Sequence, residues 1–190
     1  MSETRLDVTP SQTVGPFFHY ALPYAAGPRL VPADAAGAIR LAGVVFDGDG
    51  EPIPDSLVEI WQADQDGRFS QRPGIYDEPH GFRGFGRCAT AADGSYEFVT
   101  LKPAAVPTVD GTAQAPYISM SVFARGMLRN VVTRVYFDDE VDANSSDPLL
   151  QDVEAGRRET LVAGSVPGGY RFDVHLQGDR ETVFLDVFAG

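Results

Sequence analysis

Apolar and polar residues alternate with a period of two along most of this chain, which is the spacing of strands with one buried face. Between residues 170 and 177, Tyr170, Phe172, Val174 and Leu176 alternate with Arg171, Asp173, His175 and Gln177. Between residues 117 and 124, Ile118, Met120, Val122 and Ala124 alternate with Tyr117, Ser119, Ser121 and Phe123. Further strands are predicted over residues 39–47, 56–63, 95–101, 131–137 and 182–187. Turn residues separate them: Asp47-Gly48-Asp49-Gly50, Asp66-Gly67, Asp93-Gly94 and Pro167-Gly168-Gly169. Many short strands with regular turns predict an all-β fold, an antiparallel β-sandwich. Helix is predicted at one place, where Asp147 can cap and Pro148 can start a short helix.

The first 36 residues have a different texture. Pro10, Pro16, Pro23, Pro28 and Pro32 punctuate a stretch rich in alanine and glycine, which predicts an extended arm (residues 1–36) ahead of a sandwich domain (residues 37–190). The connection from Gly67 to Gly86 is long for a sandwich, and long ordered loops often serve function.

At 190 residues, with 43% hydrophobic and 22% charged residues, the chain is large enough for one core without staples. Its formal charge of −12, from 27 acidic against 15 basic residues, argues against nucleic acid and against anionic membrane surfaces. An anionic ligand would need a local arginine to overcome that field. No apolar run approaches a membrane span, the start MSETRLDVTP has no apolar signal region, and Cys88 has no partner for an internal disulfide. The expectation is a cytoplasmic protein.

Candidate chemistry is sparse. His19, His80 and His175 are far apart and form no paired-ligand spacing. His175 falls on the polar side of its strand pattern, and His19 follows Phe17-Phe18 as a packing or interface residue. A single cysteine excludes a cysteine-based zinc site. Ser165 lacks the glycine spacing of a nucleophile elbow, and Gly48-Asp49-Gly50 is a turn with no helix after it.

The motifs are more telling. Residues 43–69 read GVVFDGDGEPIPDSLVEIWQADQDGRF, a segment that resembles the intradiol dioxygenases. Thr9-Pro10-Ser11-Gln12-Thr13-Val14-Gly15-Pro16-Phe17 resembles the family's N-terminal motif, and Phe85-Gly86-Arg87 with Asp93-Gly94 its next strand and turn. Phe123-Ala124-Arg125-Gly126, Arg134-Val135-Tyr136-Phe137-Asp138-Asp139-Glu140, Arg157-Arg158-Glu159-Thr160-Leu161 and Tyr170-Arg171-Phe172-Asp173 extend the likeness, in the form carried by the α chains of two-chain members.

Family members hold Fe(III) with two tyrosines and two histidines, a donor set that suits a hard ferric ion. The resemblance places those ligands here at Phe69, near Val106, and at Tyr117 and Ser119, none of which keeps its ligand type. It therefore implies that this chain has no catalytic residue and no metal ligand of its own. Fe(III) would sit on a partner β subunit in a higher-order αβ oligomer. A rearranged site from Tyr76, His80 and Tyr117 is an alternative. The resemblance further implies that the arm over residues 1–36 packs on the partner chain, that Thr13, Gly15 and Pro16 wall the partner's substrate pocket, and that Arg125 attracts the carboxylate of a small aromatic substrate, 3,4-dihydroxybenzoate. A turn that merely anchors the arm, and an ordinary surface ion pair, are the alternatives for those residues. Trp61, Gln62 and Tyr136 read as core. A stand-alone transthyretin-like or ligand-binding sandwich is the alternative for the whole chain.

Overall fold

The computed structural model describes residues 12–13, 15, 17–69, 82–108 and 111–187. Its strands are β1 (Ala38–Phe46), β2 (Leu57–Gln62), β3 (Phe85–Ala89), β4 (Ser95–Leu101), β5 (Val106–Pro107), β6 (Ala113–Gln114), β7 (Ile118–Phe123), β8 (Val131–Phe137), β9 (Val162–Val166), β10 (Gly169–Arg171) and β11 (Val174–His175). Short helices are α1 (Phe17–Ala21), α2 (Val141–Ser146) and α3 (Pro148–Asp152), with a 3-10 helix over Ala155–Leu161. Among the described residues no helix is long and apolar enough to cross a membrane.

Two layers face each other. One pairs β4 with β1, and β1 with β10 and β11; the other runs β9-β8-β7-β2-β3. The hairpin from β9 to β10 joins them, so the sandwich is closed along one side. Most pairs are antiparallel, as predicted, but β1 runs parallel to β10 and β11, and β8 parallel to β9. The inward residues of the period-two patterns fill the space between the layers. Leu41, Val45, Tyr96, Phe98, Phe172 and Val174 meet Val58, Ile60, Ile118, Met120, Val122, Val135 and Phe137.

The predicted strand at 170–177 is broken in two. Phe172 donates its N–H to Ala42 O at 2.9 Å, and the Asp173 carboxylate accepts from Val44 N at 3.0 Å. The chain passes so close to β1 that a Cβ at Gly43 would lie 1.7 Å from Phe172 O. The strand predicted at 182–187 is absent as such, although Leu185 N still bonds Val132 O at 2.7 Å.

Asp147 starts α3 as expected. Its carboxylate accepts Leu150 N at 3.1 Å as the N-cap, and also Ala115 N at 2.9 Å and Tyr136 Oη–H at 3.0 Å. The carboxylate thereby ties the helices to the outer face of β8. The described part of the arm is tied to its own sandwich: Leu30 N and Val99 N bond Val99 O and Pro28 O at 2.8 Å, and Arg87 N bonds Gly27 O at 2.9 Å.

Candidate functional site

The outer face of β2, β7 and β8 carries a second hydrophobic cluster. Its buried members are Ala115, Tyr117, Tyr136, Leu150 and Leu161, with Phe69 and Val106 packed against it. Three of the four positions where the resemblance places metal ligands, Phe69, Val106 and Tyr117, therefore converge in one place. The fourth, Ser119, lies two residues along β7 on the same face.

The local chemistry follows from the pleat. A chain of rings runs from Trp61 to Phe69 (5.2 Å, edge-on), to Tyr117 (6.4 Å) and to Tyr136 (6.1 Å). The guanidinium of Arg134 lies 3.9 Å from the Tyr117 ring centroid and donates from Nη1 to Tyr136 Oη at 3.3 Å. Burial pushes the Tyr117 phenol above its ordinary value, although Arg134 partly offsets this. Burial likewise raises Tyr136, whose phenol donates to the Asp147 carboxylate.

This donor set does not fit Fe(III). Phe69 and Val106 offer no donor atom, which leaves the phenol of Tyr117 and the neutral hydroxyl of Ser119 in place of four ligands. Arg134 already brings a positive charge against the ring, where a ferric ion would be repelled. Of the rearranged alternative, Tyr76 and His80 lie outside the described residues.

Of the other predicted site residues, Arg125 follows the opposite end of β7. Thr13 is exposed and Gly15 half-buried, while Pro16 lies outside the described residues. Among the described residues, no atom lies within 4 Å of where a Cβ at Gly15 would stand. The arm continues into α1, where Phe18 stacks on Phe123 at 5.8 Å, two residues before Arg125. Arg125 is 65% exposed and pairs through Nε with Asp55 at 3.2 Å. Phe18 and Arg125 thus share one end of the sheet, and Tyr117 lies at the other. On α1, Phe17 and Tyr20 are each 77% exposed.

Gln62 and Tyr136 are buried as expected, but Trp61 is not a core residue. It is 39% exposed because the alternation in β2 puts it on the outer face with Glu59. His175 stacks on Phe46 at 4.8 Å, and burial lowers its pKa, so it is less solvated than its pattern suggested. Cys88 is a half-buried free thiol whose pKa burial raises. Arg134 was not expected at this site. The signal was present as a lone charge in the apolar run Val131-Val132-Thr133-Arg134-Val135-Tyr136-Phe137.

The family model described as Dioxygenase matches residues 14–178. The chain is 44% identical to the protocatechuate 3,4-dioxygenase alpha chain of Burkholderia cepacia, over 97% of this chain and 100% of that one. It is 34% identical to the beta chain from the same organism, over 76% of this chain and 66% of that one. Among solved structures, it resembles the dioxygenase domain of a dioxygenase–carbohydrate-binding fusion from Streptomyces sp. SirexAA-E. That match has a TM-score of 0.58 and 27% identity, over 90% of this chain and 99% of the other.

Proposed function

The chain belongs to the intradiol dioxygenase family, and from that premise we propose that it is the α subunit of a protocatechuate 3,4-dioxygenase whose iron sits on a β subunit. Intradiol dioxygenases are iron enzymes, and the likeness to both an alpha and a beta chain indicates an αβ assembly. The observation that carries the reading is a contrast. The chain matches an alpha chain over nearly its whole length, yet the residues at the ligand positions offer one phenol and one hydroxyl beside a guanidinium.

The assembled enzyme would open 3,4-dihydroxybenzoate between its hydroxylated carbons, adding both atoms of O2 to give 3-carboxy-cis,cis-muconate. Ferric iron on the β subunit would supply Lewis acidity and a template for the catecholate. This chain's part would be shape and field. Gly15, beside which the described residues leave open space, would let a partner's substrate approach the backbone closely. Thr13 and Pro16 would complete that wall. Arg125, on the same end of the sheet as Phe18, would draw the substrate carboxylate in against a charge of −12. The pair with Asp55 leaves the guanidinium largely in solvent, consistent with a steering role. A cytoplasmic location fits the free thiol of Cys88.

Oxygen uptake with protocatechuate tests the reading. The purified chain should show none, and mixing it with the β chain of the same source should restore turnover. Full activity of β without this chain would contradict it.

A further inference from the structure

We propose that Asp55 is a positioning residue for substrate capture. It holds the Arg125 guanidinium by Nε, so that the two terminal nitrogens meet the substrate carboxylate as a fixed fork. The inference rests on the functional reading above and adds to it a residue that the resemblance did not point to. In the ladder between β2 and β7, Leu57 pairs with Phe123. Two residues further along each chain bring Asp55 beside Arg125, where the carboxylate Oδ2 lies 3.2 Å from Nε.

Asp55 stands on a rigid support. Pro54 fixes the backbone just before it. The buried Thr90 clamps the segment on both sides. Its Oγ1 donates to Ile53 O at 2.8 Å and accepts Ser56 N at 2.9 Å, and its own N–H donates to Ser56 O at 2.9 Å. The Asp55 side chain is only 14% exposed, so the carboxylate has little freedom to turn. Arg125 is the reverse. It sits in the turn after β7, where Met127 N bonds Ala124 O at 3.2 Å and Gly126 has a φ of +85°. Its guanidinium is largely in solvent and, among the described residues, has no ion pair or hydrogen bond except with Asp55.

The pair is a poor device for stability. An ion pair whose cation lies in solvent contributes little, and no donor among the described residues reaches the buried Oδ1 of Asp55, which costs stability. It is a good device for aim. An unanchored arginine in a surface turn spreads over many rotamers, and ordering it as substrate binds opposes binding. Anchoring Nε in advance removes part of that cost. It leaves Nη1 and Nη2, the edge that can meet a carboxylate in two parallel hydrogen bonds. A carboxylate on that edge lies against the guanidinium and farther from Asp55, so attraction outweighs repulsion by the Asp55 charge. The pair thereby favours a ring acid over an uncharged ring of the same size.

The test uses the assembled enzyme and two readouts: the KM for protocatechuate, and the inhibition constant of the uncharged competing catechol 3,4-dihydroxybenzyl alcohol. Asp55→Ala should raise the KM about threefold with kcat nearly unchanged, and should leave the inhibition constant as it was. Asp55→Asn, which keeps an acceptor for Nε, should raise the KM less. In the Arg125→Ala background, Asp55→Ala should add nothing. A KM that falls or stays the same in Asp55→Ala, an equal change for the alcohol, or an effect that persists without Arg125 would overturn the proposal. An unchanged KM in Arg125→Ala would overturn it together with the role given to Arg125. Iron or turnover in this chain alone would instead overturn the functional reading.

Discussion

The guanidinium of Arg134 lies 3.9 Å from the ring centroid of Tyr117. A cation therefore rests on the phenol that occupies one of the positions where a ferric ligand would be expected. Burial favours the neutral phenol there, and the neighbouring Phe69 and Val106 add apolar surface without a donor atom. The outer-face cluster is a packed second core rather than a coordination sphere.

Buried tyrosines give the stability a definite pH dependence. Tyr96, Tyr117 and Tyr136 all have phenol pKa values raised above the ordinary 10.0, chiefly by burial. The unfolded chain releases these protons near pH 10, while the folded chain retains them. Stability is therefore fully present below about pH 10 and falls as pH rises beyond it. The urea midpoint should hold between pH 8 and 9.5 and drop steeply towards pH 11. Tyr136→Phe should flatten that drop, and a midpoint insensitive to pH up to 11 would refute the assignment.

Asp147 joins β8, α3 and the segment entering β7 through three hydrogen bonds to a fully buried carboxylate. Asp147→Ala leaves two backbone N–H groups and a phenol without their acceptor and should cost about 3–5 kcal/mol. Asp147→Asn keeps an acceptor in place and should cost about 1–2 kcal/mol. Urea denaturation of the two variants checks the order, and equal losses would mean that the carboxylate acts by size alone.

Arg125 is exposed, so its contribution to substrate capture should be modest and screened by salt. In the assembled enzyme, Arg125→Ala should raise KM for protocatechuate about fivefold, the equivalent of about 1 kcal/mol, with kcat nearly unchanged. The difference should shrink in 0.5 M salt. A loss in kcat at unchanged KM would remove the steering role.

Much of the fold was legible because one-sided burial writes a period of two into a strand. The patterns at 95–101 and 131–137 coincide with β4 and β8. What was hidden depended on partners distant in sequence. The run at 170–177 reads as one strand, yet it splits where it crosses β1 beside Gly43. The run at 182–187 has strand-like residues but little backbone pairing. Trp61 sits in a buried-looking motif, and only the phase of β2 reveals that it faces outward. Phe69, Val106 and Tyr117 are far apart in sequence and meet in one cluster, which no local pattern displays. Arg134 escaped notice because its contact with the Tyr117 ring crosses between strands, which linear spacing does not display.

The most direct test of the account is the iron content of the purified αβ assembly and of this chain alone. One iron per αβ pair, with none bound by this chain in isolation, is the expected result. Two irons per pair, or stoichiometric iron on this chain alone, would contradict it.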